Sequence, residues 1–120
     1  MQLRTLRFMF VAVLALLVPV AAFAHAHPKV MDPAPDSTVT APKHVSIEFS
    51  EALDPKFSSL RLTDSGGTVV SKASSTVSSA NPRHMTLDLP VLPSGVYVVR
   101  WVSVANDGHR LEGSYKFTVK

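Results

Sequence analysis

The chain has no cysteine in its 120 residues. That absence excludes a disulfide framework, thiolate zinc sites, a blue-copper centre with its cysteine ligand and a cysteine nucleophile. Any metal must therefore be taken by His, Asp, Glu, Met or the chain's own amino terminus. Aromatic residues are few, with one Trp and two Tyr, and they form no evident set for stacking on a sugar surface. Beyond residue 24 there is no cluster of Lys or Arg, so nucleic-acid binding lacks its electrostatic footprint. Helical periodicity and internal repeats are absent too.

What is present begins with a leader. Arg4 and Arg7 precede an unbroken apolar run over residues 8–17, and Ala22-Phe23-Ala24 supplies the small residues of a signal-peptidase site. These are the three parts of a secretory signal peptide. The apolar run is short for a membrane span, which needs about 20 residues; left uncut, it would tether the same domain to a membrane surface. The expected organisation is a signal peptide over 1–24 and one domain over 25–120. Cleavage removes two arginines and no acid, so the formal net charge falls from +3 to +1 and the basic pI of about 9.5 belongs partly to the leader.

Residues 25–43 hold Pro28, Pro33, Pro35 and Pro42, which exclude a helix and disfavour a central strand. The segment reads as an extended lead-in that touches a sheet edge around Lys29-Val30-Met31. Alternation then takes over: Val45, Ile47 and Phe49; Leu60 and Leu62; Met85, Leu87 and Leu89; Tyr97, Val99 and Trp101; Tyr115, Phe117 and Val119. Period two marks half-buried strands. The strand over 96–104 is apolar on both faces, and its pattern leaves open which face looks inward. Asp64-Ser65-Gly66-Gly67 is a hairpin turn with Thr68-Val69-Val70 returning, while 71–83 is a Ser-rich connection. Six to eight short strands without helices predict an all-β fold, a small antiparallel Greek-key sandwich or barrel of Ig-like type.

The chemistry-bearing residues lie at the two ends of the domain. A cut after Ala24 makes His25 the first residue, and a terminal histidine offers a metal both its α-amine and its ring. Near the far end, residues 105–111 join the last two strands by a loop longer than a tight hairpin requires. That loop places a carboxylate, Asp107, and an imidazole, His109, around Gly108. Taken alone, Asn-Asp-Gly is ordinary turn chemistry. Joined with His25 it gives three nitrogens and one oxygen, the donors Cu(II) favours in a tetragonal plane; zinc accepts the same donors in a tetrahedron. The amine must first lose its proton, so with an unperturbed pKa of about 7.7–8 affinity is expected to drop steeply below about pH 6. His27, third from the new terminus, offers a competing mode through the amine, two deprotonated amides and its ring, and is expected to be auxiliary. His44 and His84 flank strands and read as surface residues.

The chain resembles the CopC copper-resistance family over essentially all of 25–120. The resemblance rests on the histidine start after the leader, on Ala41-Pro42-Lys43 before a strand ending Phe49-Ser50-Glu51, and on Leu60-Arg61-Leu62-Thr63-Asp64. Gly95-x-Tyr97-x-Val99-x-Trp101 and Asp107-Gly108-His109 followed by Gly113-Ser114-x-x-Phe117 complete it. It implies a Greek-key β-sandwich, a periplasmic location and a Cu(II) site at His25, Asp107 and His109. A second, Cu(I) site in a methionine-rich loop is found in some members. Here residues 71–83 hold no methionine, and Met31 and Met85 stand alone, so only the Cu(II) site is expected.

The resulting expectation is a monomeric, non-enzymatic protein that captures, stores or hands over Cu(II), its partner a membrane copper transporter or another periplasmic copper protein. Two rivals remain: a small copper monooxygenase or oxidase built on an N-terminal histidine, and a metal-free sandwich module for interactions.

Overall fold

A computed structural model describes residues 25–120; the expected leader lies outside the described residues. Eight strands run in chain order: β1 (Pro28–Asp32), β2 (Thr38–Val39), β3 (His44–Phe49), β4 (Ser59–Asp64), β5 (Thr76–Val77), β6 (His84–Asp88), β7 (Gly95–Val104) and β8 (Arg110–Val119). They form two four-stranded sheets, ordered β1-β3-β6-β5 and β2-β8-β7-β4. The chain crosses from the first sheet to the second for β2, returns for β3, crosses for β4, returns for β5 and β6, and crosses again for β7 and β8. This is the sandwich that the alternation predicts.

The alternating residues are the core. Val45, Ile47, Phe49, Leu62, Met85, Val99 and Phe117 are fully buried, contributed by both sheets and meeting between them. On β7 the inward face is Tyr97, Val99 and Trp101, while Val96 and Arg100 face out. Trp101 lies edge-on to Phe49 in the opposite sheet, their centroids 5.9 Å apart. Met85 is core packing, as its strand position implies. His44 is exposed and His84 half-buried.

Three local expectations need correcting. The sheets are not wholly antiparallel, because β2 pairs with β8 in parallel through Thr38↔Thr118 and Val39↔Val119; the prolines on either side limit this pairing to two residues. Thr68-Val69-Val70 returns only as a single bridge, Thr63↔Val69. The Ser-rich connection contains β5, and it also covers the open edge of β4. The hydroxyls of Ser75 and Ser71 accept from the amides of Leu60 (2.8 Å) and Leu62 (3.2 Å). These are donors that an uncovered edge would leave bare.

Candidate metal centre

Residues 25–27 are fixed before β1 begins. Ala26 is completely buried, and its carbonyl accepts a 2.6 Å hydrogen bond from the Ser103 hydroxyl on β7. Ser50, just after β3, ties down both neighbours. Its Oγ accepts from the His27 amide at 2.9 Å and donates to the His25 carbonyl at 3.0 Å, and its amide donates to the His27 carbonyl at 2.8 Å. The backbone is thus held from both sheets at once, which orients His25 toward the β7–β8 turn.

That turn is tighter than the sequence suggests. β8 begins at Arg110, and only Asn106-Asp107-Gly108 stands outside the flanking pairs. Gly108 donates to the Ala105 carbonyl (2.8 Å), and Ala105 donates to that of His109 (3.0 Å). A three-residue turn closes this way when its last residue takes a left-handed conformation, and Gly108 does so at φ 89°. Its base is secured by the bridge Leu53↔Ala105 and by buried Ser58, whose Oγ accepts from the Val104 amide at 3.0 Å. The turn is rigid at its root and exposed at its tip.

At the tip, Asp107 engages His109 twice. Oδ1 accepts from the His109 amide at 3.1 Å, and Oδ2 lies 2.9 Å from Nδ1. The hydrogen bond from the His109 amide is the chief cause that holds the Asp107 carboxyl below its ordinary value; desolvation opposes it, and the ring hydrogen bond and the ring's charge add to the lowering. The His109 ring in turn meets His25 edge-on, centroids 5.1 Å apart. The His27 ring also meets His25 edge-on, at 6.0 Å. Four residues expected to bear on a metal are therefore neighbours, though two come from one end of the domain and two from the other.

Among the described residues no three His, Asp or Glu side chains form a ready-made ligand cluster, and the Asp107 carboxylate is hydrogen-bonded to His109. The spacing of the two rings nonetheless suits one ion. Two imidazoles on a metal at about 2 Å have centroids roughly 4.5 Å apart when adjacent and roughly 6.5 Å apart when opposite, and 5.1 Å falls between. Sequence reasoning missed Ser50 and Ser103. A signal existed for Ser103: it is a polar residue continuing the inward face of Tyr97, Val99 and Trp101.

Comparison with known proteins agrees with this arrangement of sheets. Copper resistance protein C of Escherichia coli is 38% identical over 115 residues, covering 88% of this chain and 90% of that protein. The crystal structure of CopC from Methylosinus trichosporium OB3b superposes with a TM-score of 0.75 at 36% identity, over 80% of this chain and 94% of that one. PcoC of Escherichia coli, described as a methionine-rich copper resistance protein, superposes with a TM-score of 0.71 at 36% identity, over 81% and 100%. Residues 29–120 match the family model of the CopC domain. With both the sequence match and the sandwich in agreement, the chain belongs to the CopC family.

Proposed function

We propose that the protein is exported to the periplasm, cut after Ala24, and there binds Cu(II) as cargo. The donors in this reading are the amine and ring of His25, the ring of His109 and the carboxylate of Asp107. It captures, stores or hands over the ion and performs no catalysis of its own. The observation that carries the reading is the 5.1 Å apposition of the His25 and His109 rings, with Asp107 at 2.9 Å from the second of them. A nitrogen-rich set with one carboxylate suits Cu(II) rather than Cu(I), whose preferred thioethers are missing from residues 71–83.

The competing mode at His27 is disfavoured by the same geometry. It needs the amides of Ala26 and His27 to wrap one ion, yet the His27 amide is bonded to Ser50 and Ala26 is buried. His27 is accordingly assigned an auxiliary place beside His25.

The test is a Cu(II) titration followed by electron paramagnetic resonance on two forms, one starting at His25 and one retaining Ala24. The first is expected to bind one ion with a nitrogen-rich spectrum. The second loses the free amine of His25 and is expected to bind at least about tenfold more weakly. Equal affinity and identical spectra would refute the assignment. A transporter or a second periplasmic copper protein is the proposed recipient.

A further inference from the structure

The sheet β2-β8-β7-β4 carries an open groove of about 1050 Å³ whose lining includes Phe57, Arg61, Arg100, Trp101, Arg110 and Gly108. Arg61 and Arg100 are directly opposed across β4 and β7, both on the exposed face. Like charges in that position repel. Arg110 is neutralised by Glu112 at 3.1 Å, but among the described residues neither Arg61 nor Arg100 makes an ion pair. The other carboxylate in the groove, Asp54, caps its own loop through the Lys56 amide. The groove therefore holds two adjacent uncompensated guanidinium groups, a pairing the fold alone gives no reason to keep.

Beside them Phe57 is 65% exposed, and Val102 and Val104 supply further apolar lining. Guanidinium groups bind carboxylates in a two-pronged geometry, and exposed aromatics with arginines are the residues that dominate protein interfaces. With a net charge of only +1 over residues 25–120, and with Glu112 and Asp54 inside the groove, a polyphosphate backbone is poorly matched. A polypeptide alternating acidic and apolar side chains is well matched.

We propose that this groove docks an acidic, apolar-studded segment of a partner protein, with Arg61 and Arg100 taking its carboxylates and Phe57 its apolar side chain. Asn106 and Gly108 form one end of the groove, so the docked segment abuts the turn that carries Asp107 and His109. That it thereby delivers a copper recipient to the ion rests on the function proposed above; the docking itself does not.

Occupancy is read by titration calorimetry and at the two arginine side chains themselves, which face the groove. The probe is a synthetic peptide of alternating glutamate with phenylalanine and leucine, added to the copper-free 25–120 form. Heats of binding and side-chain nitrogen resonances of Arg61 and Arg100 are followed together. Saturable shifts at both arginines are expected in the parent, and the calorimetric affinity should fall at least tenfold in the double variant Arg61→Gln/Arg100→Gln. Because that variant relieves the opposed charges, its thermal midpoint should be equal or higher, which separates lost binding from lost folding. A peptide with lysine for glutamate should leave the signals unmoved. No shift at millimolar probe overturns the proposal. So does equal binding by inorganic phosphate, which would make it a simple anion site, and so does self-association through the same arginines. Running the titration without copper keeps its failure distinct from failure of the Cu(II) assignment.

Discussion

The hydroxyl of Ser103 and the carbonyl of Ala26, 77 residues apart in the chain, are joined by a 2.6 Å hydrogen bond in a fully buried setting. Ser103→Ala leaves that carbonyl without its partner, a loss of about 1–3 kcal/mol. For a domain of this size each kcal/mol lowers the thermal midpoint by roughly 4–8 °C. If the bond also positions His25, Cu(II) affinity should fall in the same variant, and the copper spectrum should broaden. A variant as stable as the parent would show that the bond contributes nothing.

Asp107→Asn tests the turn. The amide oxygen can still accept from the His109 backbone, so the turn and the melting temperature should be nearly unchanged at so exposed a site. Cu(II) binding is expected to weaken by about 10–100-fold, read by competition with a chelator of known affinity.

The pH behaviour of the same residue follows from the sign of its shift. Its folded value is depressed, chiefly by the His109 amide, so ionised Asp107 stabilises the turn above the ordinary carboxylate range. That contribution is lost as pH falls through the depressed value. A carbon-detected titration of the copper-free protein should therefore give Asp107 a midpoint below 3.8. A midpoint above it would show that the bonds to His109 do not persist in solution.

Gly113→Ala tests the close approach under Trp101. A methyl at Gly113 would lie 2.5 Å from Cζ2 and 2.8 Å from Cε2 of the indole, and that ring is itself packed on Phe49. The expected cost is about 1–3 kcal/mol, with a shifted tryptophan emission maximum because the indole must move. Unchanged emission with unchanged stability would contradict the packing.

Tyr115→Phe should behave in the opposite way. Among the described residues the buried Tyr115 hydroxyl has no hydrogen-bond partner, and burial, aided by Asp32, pushes its pKa far up. Removing an unsatisfied group should leave stability unchanged or raise it by up to about 1 kcal/mol. Denaturant unfolding would check this, and a loss above about 0.5 kcal/mol would point to a bond not present in the structure.

The long strands were readable because burial on one face leaves a period of two, and Val45, Ile47, Phe49, Met85 and Leu87 all fall where that period puts them. β2 and β5 were not readable. Each has two residues, too few to show alternation, and each forms only because a longer neighbour offers an open edge. Which face of β7 turned inward was undecidable from its own residues, since Val96, Val98 and Val102 are as apolar as Tyr97, Val99 and Trp101. The residue types of the proposed donor set were legible, as His25 after an expected cut and an Asp-Gly-His turn. Its assembly was not, because it depends on Ser50 and Ser103 reaching backbone carbonyls, which no spacing in the sequence encodes.

The covering of β4 by Ser71 and Ser75 has a consequence of its own. A sheet with an uncovered edge and no disulfide to restrain it is exposed to chain-by-chain zippering of open strands into fibrils. Two serine side chains already occupy the amides that an incoming strand would need. The stretch that lacks methionine thus serves as a guard rail against polymerisation, a task for which small hydroxyls are better suited than thioethers.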